Sequence, residues 1–406
     1  VQISGILIVF SPFFVFIPQL VLLYQLISRK EWIPKSSWTA GLGLLFFWSF
    51  FVGIINTQVF SVLSSLMFLG YFSVSSFIDR NCSTVEQIEE LLRYIFLLTL
   101  GSALFGLLEN MGLISHAPAW WKYLFGFVTL VENEENLFRI TGTFGNPNLA
   151  ASWYAVMILV GYYFYQKSGK QEKPWFFWGI LLLVAVLVMT GSRGALIGLL
   201  MGLVVYDLLA GNTFQMVIRL LVFVSIFAFL FSFPELFPRG DLLSSTIDLR
   251  WAIWENCFNM FLKKPLTGWG IMGIYFADNN VYQYLRVLHA HNMLISLAVM
   301  LGLGGILIFV WMEGKLLQNL WLLFRDKCPL VPLLAGVQTV FFGHGIFDFT
   351  IMAPQIGLLF IAFSSFISAL SCSRDTPEGP SRWYGWNPFQ GSEGRNSRVK
   401  ANDKFD

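Results

Sequence analysis

Charge is what this sequence has least of. Its 406 residues include only 26 Lys/Arg and 24 Asp/Glu, 12% of the chain, where a soluble domain carries about 25%. That scarcity argues against a water-facing globule, and against one core per ~150 residues. Cysteine is nearly absent as well. Cys82, Cys257, Cys328 and Cys372 are far apart and show neither a disulfide framework nor zinc-ligand spacing. No glycine-rich phosphate loop and no dinucleotide fingerprint occurs. No cofactor and no nucleic-acid partner is therefore expected.

In place of charge there is hydrocarbon. The chain is 56% hydrophobic, with a mean hydropathy of +0.65. Its apolar runs, roughly 17 to 24 residues each, match the thickness of a bilayer core. The pattern predicts an all-α integral membrane protein of about eleven transmembrane helices. They fall near 3–27, 38–56, 59–78, 92–113, 148–166, 175–190, 193–210, 214–233, 291–311, 329–352 and 355–371. Pro12 and Pro18 should kink the first. The chain opens on Val1 rather than Met, so one N-terminal helix is expected to be missing.

Alternating the connections sorts the basic residues. One side collects Arg29, Lys30, Lys35, Arg80, Arg93, Lys167, Lys170, Lys173, Lys315, Arg325, Lys327 and the tail's Lys and Arg. The other has Lys122, Arg139, Arg193, Arg239, Arg250, Lys263, Lys264 and Arg286. The richer side is cytoplasmic by the positive-inside rule, with the N-terminus outside and the C-terminus inside. Both long connections, 114–147 and 234–290, are then extracytoplasmic, where chemistry is more readily housed than in short basic links. Residues 1–371 read as one polytopic domain, and 372–406, rich in Gly, Pro, Ser and charge, as a disordered cytoplasmic tail.

Five segments hold the ionisable groups that need a reason to be at a membrane rim. Arg139 opens a turn through Asn146 and Pro147, with Asn148 as helix N-cap; its amides either cap a helix or help to hold an anion. Arg193 sits in a minimal glycine hairpin, and a guanidinium at the hydrocarbon boundary either snorkels or meets an anion. Residues 245–264 form an amphipathic interfacial helix with Ile247, Trp251, Trp254, Phe258, Phe261 and Leu262 on one face. Arg250 borders that face, at lipid-phosphate depth. His289 and His291 are two apart, so on a helix they cannot converge, and no metal site is expected of them. His291 with Asn292 opens a span, where imidazole can serve as a base. His344 and Asp348, four apart, should share one helix face in the outer half of a span, either as a satisfied buried pair or as groups that orient the site.

Four of these stretches, RITGTFGNPN, TGSRGALIGLL, the Arg250-Trp251…PLTGWG stretch and HAHNMLISLAVMLGLGGIL, run in order from about 139 to 311. Together they resemble the motifs of the O-antigen ligase and polymerase family, polytopic membrane glycosyltransferases of the GT-C type. The resemblance implies transfer of a glycan from an undecaprenyl-diphosphate carrier to an acceptor hydroxyl, on the outer face of the cytoplasmic membrane. Arg193 and Arg250 would then bind the diphosphate and His291 would activate the acceptor. Arg139, Asn146, Asn148, His289, Asn292 and Asp348 are the further substrate-binding candidates. The expected transfer is metal-independent and inverting, with a glycan or lipid acceptor and membrane lipids as partners. A polymerase of the same family is the alternative, ahead of an oligosaccharyltransferase to protein or a solute transporter.

Overall fold

The computed structural model describes residues 2–113, 124–126, 139–233 and 243–374. The expected tail beyond Arg374 lies outside these residues, as do most of 114–138 and the stretch 234–242, with Lys122 and Arg239. Among the described residues all regular structure is helical: α1 (Gln2–Phe10), α2 (Phe16–Ser28), α3 (Ser37–Ile55), α4 (Val59–Asn81), α5 (Val85–Asn110), α6 (Pro147–Lys167), α7 (Lys173–Met189), α8 (Arg193–Leu209), α9 (Thr213–Ser232), α10 (Leu243–Lys263), α11 (Met293–Arg325), α12 (Val331–Gly345) and α13 (Pro354–Arg374), with a 3₁₀ turn at Thr350–Met352 before the last. Five of them, α3, α4, α5, α11 and α13, are long and apolar enough to cross a membrane. α2 and α7 are apolar but shorter.

Two helices form the centre. α6 is buried without interruption from Ala150 to Gly161, as a helix apolar on every side must be. α5, α7, α8 and α12 pack around it. α13 is buried almost throughout and packs against α4, α11 and α12. α8 and α12 make the closest approach. A Cβ on Gly198 would stand 2.7 Å from the Val340 carbonyl oxygen, and one on Gly202 would stand 2.7 Å from that of Gly336. Glycines one turn apart, Gly194, Gly198 and Gly202, thus let two backbones touch, the small-residue packing that membrane helices use where burial from water supplies no drive.

The spans expected from hydropathy are interrupted in three places, the first of them at the expected Pro12 kink. The first is split by residues 11–15, where the Ser11 hydroxyl accepts from the amides of Phe13 and Phe14. The span at 329–352 stops at Gly345, so Asp348 lies in the connection to α13 and not on a helix face with His344. α11 runs on to Arg325, far beyond the expected 311, and breaks at Gly302 (φ 62°, ψ −167°), a region open only to glycine.

That last break explains the PLTGWG stretch, which is more than a helix stop. The amides of Trp269 and Gly270 donate to the Val299 and Met300 carbonyls, both at 2.8 Å. The Leu303 and Gly304 amides donate back to Pro265 and Leu266 at 2.8 and 3.2 Å. Trp48 Nε1 takes the Leu301 carbonyl at 2.8 Å. These backbone groups freed by the break are re-satisfied, which in hydrocarbon saves several kcal/mol apiece. The 265–270 segment is thereby locked to α11, a few turns from the helix start that His291 precedes.

α10 differs from its expected amphipathic form. Ile253, Cys257 and Met260, one helical stripe, are fully buried against the protein, whereas Trp251 and Phe258 are 67% and 56% exposed. The helix therefore has two apolar sides, one packed and one facing outward. All four cysteines are free.

Candidate active site

Four helix ends meet at one end of the bundle: the starts of α6, α8 and α11 and the finish of α12. Asn146, not Asn148, caps α6, its side-chain oxygen accepting from the Asn148 amide at 2.8 Å. Pro147 at the first helical position suits that geometry. The cap, two residues earlier than expected, leaves the Asn148 side chain unspent. Its oxygen accepts from Arg139 Nη2 at 2.8 Å, and its nitrogen donates to Asp348 Oδ2 at 2.7 Å. Arg139 Nε also donates to the Thr190 carbonyl at 2.6 Å. The turn itself is pinned by Glu109 at the end of α5. The Glu109 carboxylate accepts from the amides of Thr141 and Gly142 at 3.1 and 3.2 Å and from the Thr141 hydroxyl at 3.0 Å.

Asp348 is the hub. Its Oδ1 accepts from the Phe349 amide at 2.8 Å and stands 3.1 Å from His291 Nδ1; His289 Nδ1 is 3.7 Å away. Burial would raise the pKa of this carboxyl. The neighbouring His291, its hydrogen bond, His289 and His344 outweigh that and hold it well below the ordinary range. Asp348 is therefore a carboxylate, and the proton in its contact with His291 sits on Nδ1. In the neutral ring that leaves the lone pair on Nε2.

The two histidines converge because they are not on a helix. α11 starts only at Met293 with Asn292 as its cap, Oδ1 accepting from the Ile295 amide at 3.0 Å. His291 has φ 50°, a left-handed conformation uncommon outside glycine. Ala290 between the rings is fastened on both sides: its carbonyl accepts from Trp254 Nε1 at 2.9 Å and its amide donates to the Ser296 hydroxyl at 3.0 Å. The ring centroids end 4.6 Å apart. The expectation that residues two apart must diverge is thus overturned by local backbone geometry. His289 Nδ1 accepts from the His291 amide at 3.2 Å. Its basicity falls to about 4; burial is the main cause, Asp348 pulls the other way, and His291 and Arg250 push it further down. His289 is a neutral imidazole at neutral pH, protonated on Nε2.

His344 is fixed separately, and the expected pairing with Asp348 gives way to hydroxyls. Its Nδ1 lies 2.7 Å from the Ser152 hydroxyl and its Nε2 3.4 Å from that of Ser192. Arg193 follows Ser192, and a Cβ on Gly194 would stand 3.0 Å from His344 Cδ2, so the start of α8 presses on this same end of α12. Arg250 stands one turn before Trp254 on α10, near enough to depress the basicity of His289. Asn292 is engaged at both ends, its nitrogen donating to the Ile346 carbonyl at 3.0 Å, and the Asn146 oxygen is engaged by the α6 cap. Sequence reading passed over Glu109, Ser152 and Ser192. Only Glu109 left a signal, as a lone acid at the end of an apolar run.

Described residues that are all-helical, with several membrane-length helices and a cluster of ionisable groups where four helix ends meet, define a multi-pass membrane protein with a built polar site. The family is read from the chain itself: residues 178–310 match the family model described as O-antigen ligase. Residues 178–310 thus form an O-antigen ligase family domain, which supports a membrane glycan-processing enzyme. The match spans Arg193, Arg250, His289 and His291; Arg139, Asn148 and Asp348, which complete the cluster, lie on either side of it. None of the curated proteins compared with the chain matches it.

Proposed function

We propose that the protein is a GT-C-like glycosyltransferase of about eleven spans, of the O-antigen ligase type. It moves a glycan from an undecaprenyl-diphosphate carrier to an acceptor hydroxyl, with the site on the outer face of the cytoplasmic membrane. The contact between His291 and Asp348 is the observation that carries this reading. A carboxylate on Nδ1 fixes the imidazole tautomer whose Nε2 can take a proton, and stabilises the imidazolium that results.

In the proposed step His291 Nε2 accepts the acceptor's hydroxyl proton while that oxygen forms a bond to the anomeric carbon. The bond from that carbon to the phosphate oxygen breaks on the opposite face, and the lipid diphosphate leaves with the electron pair. The configuration inverts. Arg193 and Arg250 hold the diphosphate and balance the charge that grows on it, a role suited to planar, permanently charged guanidinium forks. No metal is assigned a part in this step. Arg139 and Asn148 act one layer back, through Asp348.

The direct test supplies purified protein in detergent with a polyprenyl-diphosphate glycan and, in parallel, a lipid acceptor or a second carrier-linked glycan. Release of lipid diphosphate matched by glycan transfer to the lipid acceptor is expected. Transfer only to the second carrier would make the enzyme a polymerase, and no transfer to either would overturn the assignment. Asn148→Ala is expected to lower kcat by up to about 10²-fold, the loss typical of a slightly misplaced catalytic group, with the donor KM unchanged. A rise in donor KM with kcat intact would instead return Asn148 to substrate binding.

A further inference from the structure

We propose that His289, His291 and Asp348 form a binding site for one divalent transition-metal ion of the zinc class, and that occupancy silences the His291 base. The site rests on geometry that no helical reading of the sequence contains. One ligand atom from each residue lies within 4.8 Å of the others. Asp348 Oδ1 is 3.1 Å from His291 Nδ1 and 3.7 Å from His289 Nδ1. A tetrahedral ion with bonds of about 2.1 Å has ligand-to-ligand edges of about 3.4 Å, and these distances straddle that value.

The donor set selects the metal. Two imidazole nitrogens and one carboxylate oxygen suit zinc and its neighbours; magnesium and calcium require mostly oxygen. Three protein ligands leave a fourth position open to water. Access exists, because the side chains of His289 and His291 are 21% and 32% exposed while Asp348 is 5% exposed. The scaffold is already in place: Trp254 and Ser296 hold Ala290 between the two rings, and the Asn148 amide holds the outer oxygen of Asp348 at 2.7 Å. Such outer contacts fix a ligand's orientation and raise affinity. An entering ion displaces only the proton on His291 Nδ1 and the 3.2 Å hydrogen bond from the His291 amide to His289 Nδ1. The Phe349 amide keeps its contact with Asp348 Oδ1.

Silencing follows from the proton count. With a metal on Nδ1, neutral His291 keeps its single ring proton but carries it on Nε2, so the lone pair aimed at the acceptor is gone. This part rests on the reading of His291 as the base. The binding itself does not.

The experiment separates the two. Chelator-treated protein in detergent is titrated with Co²⁺, read by visible absorption, and with Zn²⁺ against a chromogenic zinc chelator. One ion per chain with four-coordinate absorption is expected, weakened about 10-fold or more in His289→Ala and in His289→Gln. Affinity unchanged by both variants, or no binding below about millimolar metal, would sink the site whether or not the protein transfers glycan. Zinc is then added to the transfer assay, each variant being compared with its own zinc-free rate. The half-inhibiting zinc concentration should rise about 10-fold or more in His289→Ala. Inhibition that does not shift with this variant, or acceleration by zinc, would overturn the silencing while leaving the binding measurement standing.

Discussion

His291→Ala is expected to lower the rate of glycan transfer by about 10²- to 10⁴-fold, the usual contribution of a positioned general base, while the donor still binds. The loss should appear in kcat, because an acceptor hydroxyl is a poor nucleophile until its proton has somewhere to go, whereas the diphosphate is held elsewhere. His291→Gln should be as impaired as alanine, since an amide fills the space but accepts no proton at neutral pH. Asp348→Asn should also lose most of the rate. It removes the carboxylate that fixes Nδ1–H, and it sets an amide N–H where the Phe349 amide and His291 now donate. The comparison needs purified lipid-diphosphate donor, equal amounts of folded protein, and a chelator throughout. Transfer by His291→Ala at the wild-type rate would remove the base. Loss of wild-type activity on adding chelator alone would show that a metal takes part, and would refute the metal-independent step.

Arg193→Ala and Arg250→Ala are each expected to cost about 2 to 4 kcal/mol of transition-state stabilisation, or roughly 30- to 10³-fold in rate. The two arginines come from different elements, one at the first residue of α8 and the other on the packed helix α10. Arg→Lys is expected to recover little. Lysine keeps the charge but replaces a planar fork with a point donor, which cannot grip two phosphate oxygens at once. The measurement is transfer together with retention of the lipid-diphosphate donor by each variant. Near-normal transfer by both alanine variants at normal abundance would take the diphosphate role away from this pair.

Hydropathy was a sound guide to where helices occur and a poor one to where they break. The apolar runs located α3, α4, α6, α7, α8 and α9 to within a few residues. They could not show the interruption of α11 at Gly302, because a run of apolar side chains looks the same whether or not the backbone beneath it is continuous. The 265–270 segment, docked from some 30 residues upstream, and Trp48 make that break tolerable by donating to its freed carbonyls. The same limit applies to α10. Its apolar stripe was visible, but Ile253, Cys257 and Met260 were chosen over Trp251 and Phe258 for burial by the helix that lay alongside.

Composition and hydropathy alone point to the solvent, to most of the helices and to the cast of the site. Scarce charge and long apolar runs leave helices as the way to satisfy the backbone, and Arg193, Arg250 and His291 stand out because so few ionisable groups surround them. Which of those groups touch was decided by tertiary structure alone. Asn148 reaches Asp348 across 200 positions of chain, and His289 joins His291 because the backbone between them is bent out of helical geometry by contacts from Trp254 and Ser296. Composition and periodicity report on each residue's own surroundings. Contacts between distant helix ends depend on how whole helices stack, and here that stacking was set by glycines narrow enough to let α8 and α12 meet backbone to backbone.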